Sequence, residues 1–96
     1  RPTLESELAQ THFRMGTLLA GAGRKREAVV EWRRALAFDT DNYVIRKQIW
    51  AVEHPERFQP EVDYAWQKEQ LRREQEEEAS LKAQGCGPDG CPIPPR

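Results

Sequence analysis

Residues 27–42 read EAVVEWRRALAFDTDN. Ala28, Val29, Trp32, Ala35 and Leu36 return every three or four positions, and Phe38 closes the series. That period lines one side of an α-helix. Asp39-Thr40-Asp41-Asn42 follows, four residues whose side chains bond nearby backbone and favour turns and helix caps. The stretch therefore predicts a helix with one buried stripe, then a start for another helix. The rest of the reading turns on what covers that stripe.

Towards the N-terminus, Gly21-Ala22-Gly23 predicts the end of a preceding helix, since glycine tolerates the left-handed cap. That helix opens at Thr3-Leu4-Glu5-Ser6-Glu7. Thr3 is placed to accept a first-turn amide, and Glu5 and Glu7 suit the positive end of the helix dipole. Leu4, Leu8, Met15, Leu18 and Leu19 recur at helical spacing with Phe13 beside them, and they are expected to form its apolar stripe. Towards the C-terminus, a third helix carries Val44, Ile45, Ile49, Trp50 and Val52. Pro55 ends it, because a proline pushes the residue before it, here His54, out of helical geometry. Residues 54–59 make a short connection. Pro60 suits the first turn of a fourth helix, where its missing N–H costs little. Val62, Ala65, Trp66 and Leu71 are expected on that helix's apolar face. Beyond Leu71 the stripe gives way to RREQEEEASLKAQ (72–84), a charged helix expected to project into solvent and fray towards Gly85. Its Glu69–Arg73 and Glu78–Lys82 pairs are worth about 0.2–0.5 kcal/mol each.

The totals limit the function classes. Ninety-six residues, 38% hydrophobic and 32% charged, make one small helical protein with a modest core. A net charge of −1 gives no field to draw it to nucleic acid or to a membrane. No apolar run approaches the roughly 20 residues of a membrane span. The chain begins at Arg1 without a signal peptide, and is expected to be the C-terminal part of something larger. Two cysteines are too few to assign a compartment. A soluble protein is expected, with the cytoplasm slightly favoured.

The first two helices resemble a tetratricopeptide repeat over about residues 9–42, one repeat of the family's usual length. Gly16 stands where that family keeps a small residue at the helix crossing, with Met15 and Leu19 as large neighbours. Ala28 is the small residue expected to face it, Trp32 takes the aromatic place and Ala35 the next small one. His12 and Thr40 depart from the pattern, where a large apolar residue and a proline are usual; His12 is expected to be structural. Trp50 stands where a second repeat would need a small residue, so no second hairpin of that kind is expected. One repeat cannot bury its own faces. The third helix and the first half of the fourth are therefore expected to cover it, with Trp32, Trp50 and Trp66 serving as core.

No catalytic set is present. His12 and His54 lie outside any metal-binding spacing, and Gly21-Ala22-Gly23-Arg24-Lys25 has no strand before it, so it is a hairpin turn and not a phosphate loop. No cofactor and no metal are expected, and the segment is not expected to be an enzyme. The resemblance implies instead that the inner face of the first helix, Gln10, Phe13, Arg14 and Thr17, holds an extended peptide. Arg14 alone does not make the family's carboxylate clamp. The implied partner is a protein or peptide, the protein's own upstream domain, or a second copy in a homo-oligomer.

The chain ends GCGPDGCPIPPR (85–96). Pro88-Asp89-Gly90 is strong turn chemistry that brings Cys86 and Cys91 together. A local disulfide, a thiol pair that exchanges with another site, and a soft-metal clip are all open, in that order. Zinc lacks two further ligands. IRKQIWAVEHPERFQPEVDYAWQKEQ (45–70) with this tail resembles C-terminal extensions behind bacterial redoxin domains of the thioredoxin and peroxiredoxin type. That implies a second function, the accessory domain of a thiol-redox protein with an exchangeable Cys86–Cys91 disulfide. The reading as a whole is an all-α chain. It has a helical domain over 1–71 made of a tetratricopeptide-like hairpin with a third helix and the start of a long fourth, a charged extension over 72–84, and an irregular Gly/Pro/Cys tail over 85–96. The function expected of it is a non-catalytic protein–protein interaction module.

Overall fold

The computed structural model describes residues 3–85, so Cys86 and Cys91 lie outside the described residues. Thr3 Oγ1 accepts from the Ser6 amide at 3.0 Å, and Ser6 Oγ accepts in return from the Thr3 amide at 3.1 Å. This reciprocal cap starts α1 (Leu4–Gly21). Its end is set by Gly23, whose φ of 82° is a left-handed conformation that side chains disfavour. That conformation lets the Gly23 amide donate to Ala20 at 3.0 Å and the Arg24 amide to Leu19 at 2.9 Å, which satisfies the last carbonyls of the helix. α2 (Lys25–Phe38) follows at once. Asn42 Oδ1 accepts from the Val44 and Ile45 amides at 3.0 and 3.3 Å and starts α3 (Tyr43–Glu53), with His54 as its cap before Pro55. One 3-10 turn, Pro55–Arg57, leads on to α4 (Tyr64–Ala83). Four α-helices and no strand are present among the described residues.

The chain divides into two compact units, the first ending at Glu56 and the second beginning at Arg57. In the first unit α2 is the central element, packed against α1 on one side and α3 on the other. Ala28, Val29, Trp32, Ala35 and Leu36 of α2 join Ile45 and Ile49 of α3 in one core, with Phe13, Leu19, Ala20 and Val52 half-buried around it. The buried stripe of α2 is the one its period predicts. α1 differs from expectation. Its buried residues are Ala9 and Gly16, while Leu4, Met15 and Leu18 are exposed. The reason lies in the partner. A Cβ added to Gly16 would fall inside contact distance of Trp32 Cδ1 and Nε1, and within 2.9 Å of Cγ. The Trp32 indole therefore fills the space over Gly16. The ring is also held by its Nε1–H, which donates to the Phe13 carbonyl at 3.2 Å.

A buried carboxylate also joins the hairpin. Glu31 accepts from Arg34 at 2.6 Å and pairs with His12 Nδ1 at 2.8 Å. The His12 ring stacks on Phe38, parallel to within 4° and 5.9 Å between centres. A polar residue at position 12 is thus tolerated because its ring is packed and its nitrogen is paired across the hairpin. Glu31→Ala removes the shared acceptor and is expected to cost about 1–3 kcal/mol. Urea unfolding should show this as a lower midpoint at an unchanged slope.

The second unit starts its helix later than expected. Pro60 follows a cis peptide bond and lies ahead of the helix. Asp63 is the cap, its Oδ1 accepting from the Trp66 amide at 2.9 Å and its Oδ2 from Arg57 at 3.2 Å. A carboxylate satisfies a first-turn donor, and proline offers no such acceptor. Val62 consequently precedes the helix, and both it and Ala65 are exposed. Trp66 is half-buried, with the Arg57 guanidinium 5.7 Å from the centre of its ring. Further along α4, Arg72 bridges Glu69 and Glu76, each at 2.5 Å, and Arg73 lies 3.5 Å from Glu69. The hydrogen bond from Arg72, with its charge, holds the Glu69 carboxyl at about 2 against a usual 4.5. Arg72 is pushed up by the same bonds. A folded value below the unfolded one means that this support is complete above the usual value and is lost as pH falls towards about 2. At low salt, far-ultraviolet ellipticity should therefore fall over that window more in the native chain than in Glu69→Gln. Added salt should shrink the difference.

Candidate functional site: a small groove beside the first helix

The helical hairpin places the N-terminal half of α1 beside the α2–α3 turn. Between them lies a cavity of about 150 Å³. Ser6, Ala9, Gln10 and Phe13 of α1 form one wall; Asp39 and Asn42 of the turn and Val44 and Ile45 of α3 form the other. At about 30 Å³ of liquid per water, this space holds about five waters. It is below the roughly 300 Å³ at which small-molecule and cofactor sites begin. One side chain of a larger ligand fits it.

The polar groups of the wall are fixed by the fold. Asn42 Nδ2 donates to Asp39 Oδ2 at 3.1 Å while Asn42 Oδ1 caps α3, so the amide cannot turn without breaking the cap. Asp39 Oδ1 has no partner among the described residues. The rim of the cavity at the turn is therefore an acceptor with negative charge, and the floor is apolar. This suits a cation or an N–H donor beside a small apolar group.

Of the four residues expected on this face, Gln10 and Phe13 line the cavity. Phe13 sits between core and groove, its ring 6.4 Å from that of Trp32. Arg14 and Thr17 do not line it. Arg14 is exposed and has no ion pair among the described residues, and the Thr17 hydroxyl donates to the Phe13 carbonyl of its own helix at 3.0 Å. Asp39, Asn42, Val44 and Ile45 were legible in the sequence only as a cap and a core stripe. The spacing of Asp39 and Asn42 before an apolar run announces a helix start and gives no sign of the helix that will lie opposite.

Among the described residues no group of three or more His, Cys, Asp or Glu is placed to hold a metal ion. No helix among them is long and apolar enough to cross a membrane. Compared with protein-family models, with curated proteins and with solved structures, the chain finds no match in any of the three.

Proposed function

We propose that this segment is a non-catalytic interaction module, a single tetratricopeptide-like hairpin braced by a third helix, which holds an extended peptide along α1. The observation that carries the reading is the cavity: it gathers Gln10 and Phe13 of α1 with Asp39 and Val44 across the turn, at the size of one side chain. The close approach of Gly16 to Trp32 and the burial of Ala28 and Ala35 support the hairpin part of the reading. The Asp39 carboxylate oxygen that has no partner among the described residues makes the preferred ligand a peptide with a small apolar residue next to a lysine or arginine. The acidic rim is the reverse of a clamp for a C-terminal carboxylate.

Panning a displayed library of random heptapeptides on the chain tests this. Peptides that pair a small apolar residue with a basic neighbour should be enriched. Asp39→Asn and Val44→Asp should each weaken the selected peptides about tenfold or more, the cost of one lost charged hydrogen bond or one blocked apolar contact. Val44 is 57% exposed, so its replacement leaves the fold in place. Enriched peptides that bind both variants as well as the native chain would place the binding surface elsewhere.

A further inference from the structure

α1 has a face that the hairpin does not use. Leu4, Leu8, Thr11, Met15 and Leu18 follow one another at steps of four and three. That spacing keeps them in one stripe along the helix, turned away from Ala9 and Gly16. Leu4 and Leu18 are each 69% exposed and Met15 44%, while Leu8 between them is half-buried. Thr11 interrupts the series without a loose donor, since its hydroxyl bonds the Glu7 carbonyl at 2.9 Å. Glu7 and Arg14 stand seven residues apart, and so on the same edge of the stripe. Neither has an ion pair among the described residues.

We propose that this stripe is a self-association surface on which a second copy of the chain packs its own α1, antiparallel. The argument is charge complementarity. When Leu4 of each copy lies over Met15 of the other, and Leu8 over Thr11, the two like edges meet. Glu7 then falls opposite the second copy's Arg14, and the two-fold symmetry makes that pair twice. A parallel arrangement joins unlike edges and forms neither pair. The apolar stripe supplies the attraction, and the single acid and single base on its edge fix the direction and the register. One helix face buries less than the roughly 1,200 Å² of a stable interface, so the dimer is weak and depends on concentration.

Sedimentation velocity on the full chain over a concentration series tests this. The native chain should pass from monomer to dimer. Leu4→Glu should raise the dissociation constant about tenfold or more, since the two-fold symmetry puts the new acid against Met15 in both end layers of the stripe. Its circular dichroism should be unchanged, because an acid suits the first turn of a helix. Glu7→Arg and Arg14→Glu should each weaken self-association about tenfold, since both ion pairs become like-charge contacts. Mixed in equal amounts, those two variants should recover the native affinity as a heterodimer. A chain that is monomeric at all concentrations overturns the proposal. So does a dimer indifferent to Leu4→Glu, or a mixture of the two charge variants that stays monomeric.

Discussion

Replacing Gly16 with valine is expected to lower the melting temperature of the first unit by about 10–20 °C. The Trp32 indole occupies the space that a Cβ at position 16 would need. Trp32 is buried and held by its bond to the Phe13 carbonyl, so it has no free direction in which to retreat. Overpacking of this kind costs about 1–3 kcal/mol, with the extra valine methyls towards the upper end. For a unit of this size each kcal/mol moves the midpoint by about 4–8 °C. Gly21→Ala is the control. Nothing lies within 4 Å of a Cβ at that position, which is exposed at the end of the same helix. There the substitution should be neutral or stabilising by up to about 1 kcal/mol, the ordinary propensity gain. Thermal melts of the two variants followed by Trp fluorescence decide the matter. Equal midpoints would mean that helix propensity, and not the Trp32 contact, governs position 16.

The second large effect is expected at Ile49. It is buried in the core that joins α3 to α2, beside Ile45. Ile49→Ala leaves a cavity there and should cost about 2–5 kcal/mol. Because α3 provides the Val44 and Ile45 wall of the groove, this variant should lose both stability and peptide binding. Val44→Ala offers the contrast. It should change stability by no more than about 0.5 kcal/mol, as surface substitutions do, while still weakening a bound peptide. Denaturant unfolding paired with binding of a selected heptapeptide separates the two. If Ile49→Ala melts like the native chain, α3 is not held by this core.

The groove was half legible in advance. Gln10 and Phe13 were reached through a resemblance of the hairpin, and both line the cavity. Arg14 and Thr17 came from the same argument, but the cavity lies nearer the start of α1 than they do. It lies there because the α2–α3 turn meets α1 near Ser6 and Ala9, and the opposite wall is brought from residues about thirty positions away. No local pattern encodes that distance. Glu31 was illegible for a related reason. A carboxylate between Val30 and Trp32 reads as surface until His12 is known to lie across from it.

The sequence by itself determined the elements. Thr3, Asn42 and Gly23 set helix ends through bonds and dihedral angles that involve only their neighbours, and the three-to-four period of α2 stated its buried side. Those signals are local, so one chain segment carries them complete. Only the tertiary structure decided that Leu4, Met15 and Leu18 of α1 face outward. Its leucines and methionine make the more hydrophobic stripe, yet Ala9 and Gly16 are the residues that are buried. Burial depends on the volume the partner helix presents, and a tryptophan on α2 leaves room for a glycine and for nothing larger. Leu4, Met15 and Leu18 of α1 are thereby left at the surface, where a second helix of the same kind is the partner proposed for them.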